Sequence, residues 1–477
     1  MTEHSEVDVI VLGVGTCGED LSLQLLDAGL EVVGIEASLV GGECAFWACI
    51  PSKVMIRAGS LLAAAHQVDG VAGTASITPD WAPVAERVRT EVTGGWDDSA
   101  GVGRYQDRGG RLIHGRGRFV GPRTVAVADQ TFTARRGVVI ATGSQPAIPP
   151  IPGLTDVDYW TTHDVISAEA LPASLTILGG GAVGCELGQM LTRFGVDVAI
   201  VEGQDRLLPT EEPEASAVVA EAFAADGIAV HTGVLAESVD QAAGSITVRL
   251  SDGSEVTSER LLVATGRKVD LESLDLEAAG ISTEGRFIEV DERMRAGDGI
   301  WAIGDVTGKA MLTHVAIDHA KIAAADILGG NPEPTNYAAV PRVTFTNPEV
   351  AAVGLTEAAA RAADRDVVVA VKQLPATFRG WIHGVGNAGV VKLIVDRSAG
   401  VLIGATAVGP QGGEMLGLLS LAVHAKVPLA ELRSMIYAFP TFHGAVGEAL
   451  GAGGRGVTTV LDPDYAALRE LDAVGHH

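Results

Sequence analysis

Cys44 and Cys49, two cysteines five residues apart, are the residues of this sequence best suited to redox chemistry. Pro51 follows them and predicts a helix that begins nearby, because the fixed φ and missing N–H of proline are tolerated in a first helical turn. A helix start and the cationic Lys53 both favour the thiolate, which is the form that attacks disulfides and transfers electrons. The alternative is two unrelated buried cysteines.

A regular helix would keep these two thiols apart. A five-residue offset rises about 7.5 Å along a helix axis, whereas the Cα atoms of a disulfide lie about 4.4–6.8 Å from each other. If the thiols bridge, we therefore expect the backbone between them to bend or unwind.

The composition indicates a large protein that binds neither nucleic acid nor membranes. A chain of 477 residues is long enough for two or three domains with their own cores. A hydrophobic share of 47% and 60 glycines fit a loop-punctuated α/β protein. The formal charge of −26 would repel nucleic acid and anionic membrane surfaces.

The cysteine content and the N-terminus predict a reducing, cytoplasmic location. The four cysteines are too few for a secreted scaffold held by disulfides. The N-terminus carries no basic segment before a signal core, and no uninterrupted apolar run reaches the ~18 residues that a membrane span requires. In such a compartment a close cysteine pair is catalytic or metal-binding rather than structural. We assign the chain no metal site.

Two copies of a dinucleotide-binding pattern occur, each a strand, a glycine-rich turn, a helix and a second strand that ends in an acid. The glycines and acid of the two copies are Gly13, Gly15, Gly18 and Glu36, and Gly179, Gly181, Gly184 and Glu202. The acid follows the last glycine by 18 residues in both copies (36 − 18 and 202 − 184). The glycines allow backbone N–H groups to approach a pyrophosphate, and the acid accepts hydrogen bonds from a ribose. Two matching copies predict two Rossmann-like domains.

The later part of the chain completes this organisation. Each copy reaches an apolar strand that closes on Ala-Thr-Gly, at Ala141, Thr142 and Gly143 and at Ala264, Thr265 and Gly266. Another short strand ends at Gly304 and Asp305. Four prolines between residues 145 and 153 indicate a crossing between domains. From residue 341 onward, strand–strand–helix segments predict an α+β domain.

With these motifs in order along nearly its whole length, the sequence resembles the flavoprotein (pyridine nucleotide) disulfide reductases, and is similar to dihydrolipoamide dehydrogenase and mercuric reductase. The resemblance implies a homodimer. Its three domains would be an FAD domain (residues 1–150 and 271–340), an inserted NAD(P)H domain (151–270) and a dimerisation domain (341–465).

The resemblance also implies a role for each motif. The FAD residues would be Gly13, Gly15, Gly18, Glu36, Ala141, Thr142, Gly143, Gly304 and Asp305, and the nicotinamide residues Gly179, Gly181, Gly184, Glu202 and Gly266. Lys53 and Glu186 would form an ion pair beside the flavin ring. Cys49 would be the thiolate near the flavin, and Cys44 would attack a small-molecule disulfide. Glu202 favours NADH, because its carboxylate repels the extra phosphate of NADPH, although Arg206 nearby could soften that preference.

One departure bears on the reaction. The family carries a C-terminal His-Pro-Thr-x-x-Glu that supplies an acid–base pair, but Phe439 and Gly444 stand in the two positions here. His443 with Glu448 could replace the pair, because their spacing is the same (448 − 443 and 444 − 439). Alternatively, the dithiol acts without a protein acid, or the enzyme reduces a quinone, dye or metal ion.

Disulfide reduction is the favoured hypothesis, and quinone, dye or metal-ion reduction is the alternative. A non-catalytic flavin-loaded interaction subunit is the weakest hypothesis, because both cysteines, Lys53 and Glu186 are retained.

Overall fold

The computed structural model describes residues 3–69 and 71–451. Residues 452–465 of the predicted dimerisation domain lie outside this range. The N-terminal elements are the strands β1 (Glu3–Leu12), β2 (Val32–Glu36), β3 (Arg111–His114), β4 (Arg118–Gly121), β5 (Thr124–Val127), β6 (Gln130–Ile140) and β7 (Gln145–Pro146). The helices among them are α1 (Thr16–Asp27), α2 (Gly42–Phe46), α3 (Cys49–His66), α4 (Ala82–Arg87), which continues as a π-turn over Val88–Val92, and α5 (Ser99–Asp107).

The middle of the chain forms a second α/β unit. Its strands are β8 (Tyr159–Trp160), β9 (Ser174–Leu178), β10 (Asp197–Glu202), β11 (Ala229–Thr232), β12 (Ala236–Ala242), β13 (Ser245–Leu250), β14 (Glu255–Ser258), β15 (Arg260–Val263) and β16 (Arg267–Lys268). Its helices are α6 (Thr162–Ser167), α7 (Ala182–Arg193) and α8 (Pro213–Asp226). The short antiparallel pair of β7 and β16 joins the entry and exit of this unit.

The chain then returns to the first sheet and ends in a third one. The returning elements are β17 (Arg295–Gly297), β18 (Ile300–Ala302) and α9 (Thr313–Ile327). The last strands are β19 (Pro341–Thr344), β20 (Glu349–Gly354), β21 (Val367–Gln373), β22 (Val390–Asp396) and β23 (Val401–Gly409). The last helices are α10 (Glu357–Ala362), α11 (Phe378–His383), α12 (Gly412–His424), α13 (Leu429–Ser434) and α14 (Gly444–Ala449).

The sheet orders confirm the predicted α/β class. The first sheet runs β17-β18-β6-β1-β2-β3, and β18, β6, β1, β2 and β3 are mutually parallel. The second runs β11-β10-β9-β15-β8 and is parallel throughout. The third runs β19-β20-β23-β22-β21 and is antiparallel. The second half of the central strand β1, Val9, Ile10, Val11 and Leu12, is buried on both faces, which explains why these four residues are all apolar.

One stretch of the described chain, Gly42–His66, is long and apolar enough to cross a membrane by length and composition alone. This is weak evidence, because the core helix of a soluble protein passes the same test. The stretch is also not one helix here, since α2 ends at Phe46 and α3 begins at Cys49.

A buried ion network joins the second unit to the third sheet. The ammonium of Lys392 in β22, a residue only 3% exposed, lies 3.0 Å from Glu212, 2.8 Å from Glu214 and 2.9 Å from Glu357. These hydrogen bonds hold the pKa of Lys392 above its usual range, despite the burial that opposes the charge. The lysine therefore neutralises carboxylates from both units.

Replacing this lysine is expected to loosen the contact between the two units. Lys392→Ala leaves Glu212, which is 2% exposed, without its cation, and we expect a loss of about 3 kcal/mol in unfolding free energy. The control is Arg397→Ala, which breaks the exposed pair with Asp366 and should cost less than about 1 kcal/mol. Urea unfolding followed by tryptophan fluorescence measures both. Equal midpoints for the two variants would contradict the assigned role.

Candidate functional site

The first glycine of each nucleotide turn is required by its backbone and its surroundings. Gly13 has φ +88° and Gly179 has φ +110°, in the region that favours glycine. A Cβ on Gly13 would lie 2.4 Å from the carbonyl oxygen of Ala141, and a Cβ on Gly179 would lie 2.4 Å from that of Ala264. The turn therefore packs directly against the Ala-Thr-Gly strand end in both copies.

The other glycines of the two turns are of two kinds: some allow close packing, and others leave space for a ligand. A Cβ on Gly18 or Gly184 would lie 2.0 Å from the carbonyl oxygen of the first glycine in its own turn, so the helix could not pack so closely. By contrast, among the described residues no neighbouring atom lies within 4 Å of a Cβ built on Gly181, and the nearest to one on Gly15 is the Cα of Gly42 at 3.7 Å. That free space at the middle glycine is where a pyrophosphate would approach the backbone.

The acids at the ends of β2 and β10 make the same contacts in both copies. Each carboxylate accepts two backbone N–H groups, from Val14 (2.6 Å) and Ser38 (2.8 Å) for Glu36 and from Gly180 (2.6 Å) and Gln204 (2.8 Å) for Glu202. Burial raises the pKa of the Glu36 carboxyl. The backbone contacts fix each carboxylate beside its turn, where a ribose would bind.

A cavity of about 600 Å³ runs from the first turn to the cysteine pair. The predicted site residues that line it are Gly13, Gly15, Glu36, Cys44, Cys49, Lys53, Ala141, Thr142, Gly143, Glu186, Gly304 and Asp305. Gly18 packs beneath the turn, and Gly179, Gly181, Gly184, Glu202 and Gly266 lie outside the cavity. The start of α7 reaches it through Ala182 and Val183, so the second unit borders one end of the first cofactor site.

Asp305 is held in the cavity by neighbours on both sides. Its carboxylate accepts a 2.6 Å hydrogen bond from the Ser144 hydroxyl. The preceding Gly304 has φ +74° and donates its N–H to Nδ1 of His319 at 3.2 Å, which leaves the proton of that ring on Nε2, 2.7 Å from the Tyr337 hydroxyl. Burial lowers the pKa of His319 to about 4, so the ring is neutral. Sequence reasoning gave His319 no role. In the structure His319 supports the turn that places Asp305 in the cavity.

The helix breaks between the two cysteines, as the spacing required. Cys44 lies in α2 and Cys49 is the first residue of α3, which begins two residues before the expected Pro51. Between them Trp47 and Ala48 leave helical geometry, with φ −140° and ψ −94° at Ala48. Both thiols are free, and Sγ of Cys49 lies 3.3 Å from the Thr313 hydroxyl.

The two thiols differ in acidity. The hydrogen bond from Cys44 lowers the pKa of Cys49 to about 6, against the effect of burial, with help from the Thr313 hydroxyl and the charge of Lys53. The same hydrogen bond, together with burial, raises the pKa of Cys44 well above its usual range. The reduced pair therefore holds one proton, on Cys44, and one thiolate, on Cys49.

Lys53 and Glu186 meet although they are far apart in sequence. Lys53 Nζ lies 2.7 Å from Oε2 of Glu186, and Oε1 of Glu186 accepts the Phe345 N–H at 2.8 Å. Lys53 Nζ also lies 4.9 Å from the centre of the Phe345 ring. Glu186 is only 6% exposed, so the pair fixes α3, α7 and the segment after β19 against one another.

The C-terminal segment offers no such pair. Phe439 is 74% exposed and contacts the Phe378 ring at 5.3 Å. His443 Nε2 lies 3.4 Å from the Thr441 hydroxyl, whereas Glu448 pairs with the buried Lys372 at 3.0 Å. Within the described chain Glu448 therefore does not orient His443, because a lysine from β21 occupies it.

Sequence reasoning missed a second carboxylate beside the dithiol. Glu43 lies 2.7 Å from Nε2 of His163 and 3.1 Å from the Arg267 guanidinium, which also binds Ser144. Despite burial, these hydrogen bonds lower the pKa of Glu43. Its position directly before Cys44 was the one available signal, since its partners lie 120 and 224 residues away.

Two nucleotide turns, with a cavity that runs from the first of them to a dithiol, define a pyridine nucleotide-linked flavoprotein oxidoreductase. Comparison with known families agrees, because residues 7–320 match the pyridine nucleotide-disulphide oxidoreductase model and residues 340–450 match its dimerisation domain. The chain belongs to this family.

Individual relatives cover almost the whole chain. It is 33% identical to dihydrolipoyl dehydrogenase of Bacillus subtilis (95% of this chain, 99% of the relative) and 32% identical to mercuric reductase of Staphylococcus aureus (90% and 79%). Among solved structures, it is similar to a Cu(II) complex of the HOCl-induced flavoprotein disulfide reductase RclA from Escherichia coli, with a TM-score of 0.82, 27% identity and coverage of 93% and 98%.

Family membership confirms the class of reaction. The chain is an FAD- and NAD(P)H-dependent oxidoreductase of the class that acts on sulfur groups, and its dimerisation domain supports a homodimer. The residues fit these cofactors, since the middle glycine of each turn leaves space for a pyrophosphate and each acid faces its turn.

The acidity of Cys49 predicts a pH dependence in the reduced enzyme. Because its pKa is lowered to about 6, the thiolate is present above that pH and is lost as the pH falls through it. The rate of Cys49 alkylation by iodoacetamide should therefore fall by half near pH 6. Cys44→Ala removes the hydrogen bond and should move the midpoint upward. A midpoint near the ordinary thiol value in both proteins would contradict the assignment.

Proposed function

We propose that this protein reduces a small-molecule disulfide with NADH, through Cys44 and Cys49. The observation that carries the proposal is the placement of Cys44 and Cys49 on the two sides of a helix break, both lining the cavity that the first nucleotide turn and Asp305 also line. The first nucleotide turn, Glu36 and Asp305 would hold FAD, which would supply the chemistry that links a nicotinamide hydride to the cysteine pair. In this proposal the ion pair of Lys53 and Glu186 would lie beside the flavin ring.

The proton shared by the two cysteines explains how the pair could work. Attack on the substrate needs the Cys44 thiolate, which forms when the Cys44 proton moves, in an uphill step, to the more acidic Cys49. That thiolate attacks one substrate sulfur, the substrate S–S bond breaks, a mixed disulfide forms on Cys44 and one thiolate leaves. Cys49 then gives up that proton to the departing thiolate and attacks Cys44. This closes the Cys44–Cys49 disulfide and releases the second thiolate.

The number of protons available in this mechanism favours substrates with acidic thiols. One shared proton serves two departing thiolates, and Phe439 stands where the family has its acid–base histidine. His443 has no carboxylate partner among the described residues, because Glu448 is bound to Lys372. We therefore assign the proton to the dithiol and infer that low-pKa leaving thiols are preferred, since these leave without protonation.

The preference for NADH rests on Glu202 and on the engagement of Arg206. Arg206 donates to the carbonyl oxygens of Pro209 at 2.8 Å and Glu211 at 3.4 Å, and it pairs with Asp205 at 3.2 Å. Its guanidinium is thus committed to its own loop, which leaves the Glu202 carboxylate to select the unphosphorylated ribose.

Metal-ion or quinone reduction is the second candidate. It is favoured by Phe439 together with the relatives named mercuric reductase and the structure of RclA solved with Cu(II). Such acceptors need no protein acid for a leaving thiol. We also propose a cytoplasmic enzyme with the domain limits given above, because four cysteines are too few for a secreted scaffold held by disulfides.

Removing the outer thiol separates the two candidates. With Cys44→Ser, NADH oxidation driven by a disulfide of an aromatic thiol should fall by about 10³-fold or more, because the nucleophile is lost. Oxidation driven by a quinone should remain. The control is Cys185→Ser, which alters a buried cysteine outside the cavity. Retention of both activities in Cys44→Ser would show that the outer thiol has no catalytic role.

Glu202→Ala tests the nicotinamide assignment. Loss of charge-assisted hydrogen bonds to the ribose should lower the ratio of kcat/KM for NADH to that for NADPH by about 10–100-fold. The ratio is the measure, because loss of the contact with Gly180 affects both cofactors equally. Glu221→Ala, an exposed change on α8, controls for net charge. An unchanged ratio would place the selection elsewhere.

A further inference from the structure

The break between the two cysteines is occupied by an indole packed on both faces. Trp47, the C-cap residue of α2, stacks on His163 with ring centres 4.5 Å apart and an angle of 15° between planes. Its other stacking partner is Trp96, at 5.4 Å and 23°. We call this three-ring stack of Trp96, Trp47 and His163 the Trp47 clamp.

The outer rings of the Trp47 clamp come from two different parts of the fold. Trp96 follows two glycines and itself has φ +59°, a conformation that bulky side chains rarely adopt. Such backbone strain persists only where the surroundings hold it. His163 belongs to α6 of the second unit, and its Nε2 lies 2.7 Å from Glu43 at the other end of α2. The short helix that carries Cys44 is thus held at both ends.

The Trp47 clamp holds the break open, because without the break α2 and α3 would form one continuous helix. Helical residues lie on both sides, in α2 and α3, and Trp47 and Ala48 are the interruption. If these two residues became helical, the cysteines would separate by about 7.5 Å along the axis, beyond the Cα spacing of about 4.4–6.8 Å that a disulfide allows. The broken form can hold a disulfide, and the wound form can hold only two thiols.

We infer that Trp47, held between Trp96 and His163, is a positioning residue that sets the redox equilibrium of the Cys44–Cys49 pair. The inference rests on the proposed role of this pair as the redox dithiol. Two electrons and one proton convert the disulfide to the pair of Cys44 thiol and Cys49 thiolate, and only the disulfide requires the broken helix. Loosening the clamp therefore favours the dithiol and makes the pair more oxidising.

The test compares variants that remove the Trp47 indole, the ring of His163 that stacks on it, or the hydrogen bond from residue 163 to Glu43. Trp47→Leu should shift the equilibrium towards the dithiol by about tenfold, or about 30 mV for this two-electron couple. Trp47→Phe, which keeps a ring in place, should restore most of the shift. His163→Phe keeps the stack without the bond to Glu43 and should remain close to the wild type. His163→Gln keeps a hydrogen-bond donor for Glu43 but removes the ring, and its redox equilibrium should shift towards the dithiol as in Trp47→Leu.

The measurement counts oxidised pairs and does not depend on turnover. The FAD-loaded enzyme is equilibrated in glutathione redox buffers and quenched with an alkylating agent, and modified Cys44 and Cys49 are quantified by mass spectrometry. The pH midpoint of Cys49 alkylation, read on the reduced proteins, should rise in Trp47→Leu and His163→Gln because the two thiols move apart. Trp81→Leu is the control: its indole lies in the same hydrophobic cluster but packs on Phe194.

The outcomes separate the inference from the function on which it rests. A wild-type protein whose Cys44 and Cys49 never form a disulfide in any buffer would refute the proposed dithiol function. If the wild type titrates normally and Trp47→Leu and His163→Gln titrate with it, the clamp has no role. A shift in His163→Phe with none in His163→Gln would assign the effect to the hydrogen bond with Glu43 and would overturn the role of the stack. If Trp47→Leu does not fold, the two His163 variants decide.

Discussion

The constraint on which this protein depends is that two thiols five residues apart cannot meet along a continuous helix. The break between α2 and α3 resolves it, and the first nucleotide turn supports the broken segment from below. The Gly41 N–H donates to the Val14 carbonyl at 2.8 Å, and a Cβ on Gly42 would lie 2.8 Å from the Cα of Gly15. The turn that receives the pyrophosphate is therefore also the surface on which the redox segment rests, so cofactor and dithiol are placed by the same backbone.

Residues from all three parts of the fold determine the charges around the dithiol. The thiolate at the start of α3 is favoured by Lys53, and Glu186 of α7 limits that lysine to one orientation while it accepts the Phe345 N–H. On the opposite side, Glu43 is hydrogen-bonded to His163 and paired with the cationic Arg267 rather than left to repel the thiolate. Movement of the second unit relative to the first would disturb both arrangements, because His163, Glu186 and Arg267 all belong to it.

Sequence reasoning succeeded where the backbone itself imposes the requirement. Each glycine turn was predictable because a Cβ at Gly13 or Gly18 collides with backbone, and the helix break followed from the spacing of Cys44 and Cys49. The contacts that position these parts were not predictable from local pattern. Trp47 meets rings from residues 96 and 163, and His319 meets Gly304 only after the chain folds. The equal spacing of His443 and Glu448 likewise gave no sign that Glu448 pairs with Lys372 from another strand.

In the proposed mechanism, the absence of a histidine at position 439 changes how protons are supplied rather than how electrons move. A protein-bound acid would protonate each departing thiolate, whereas a dithiol that shares one proton can do so once in each cycle. A Cys49 pKa of about 6 also makes that residue a stable thiolate and a good leaving group, at some loss of nucleophilic strength. Both properties favour acceptors that are already electron-poor, whether an acidic disulfide or a soft metal ion. The shared proton and Phe439 thus point to the same selectivity from independent parts of the fold.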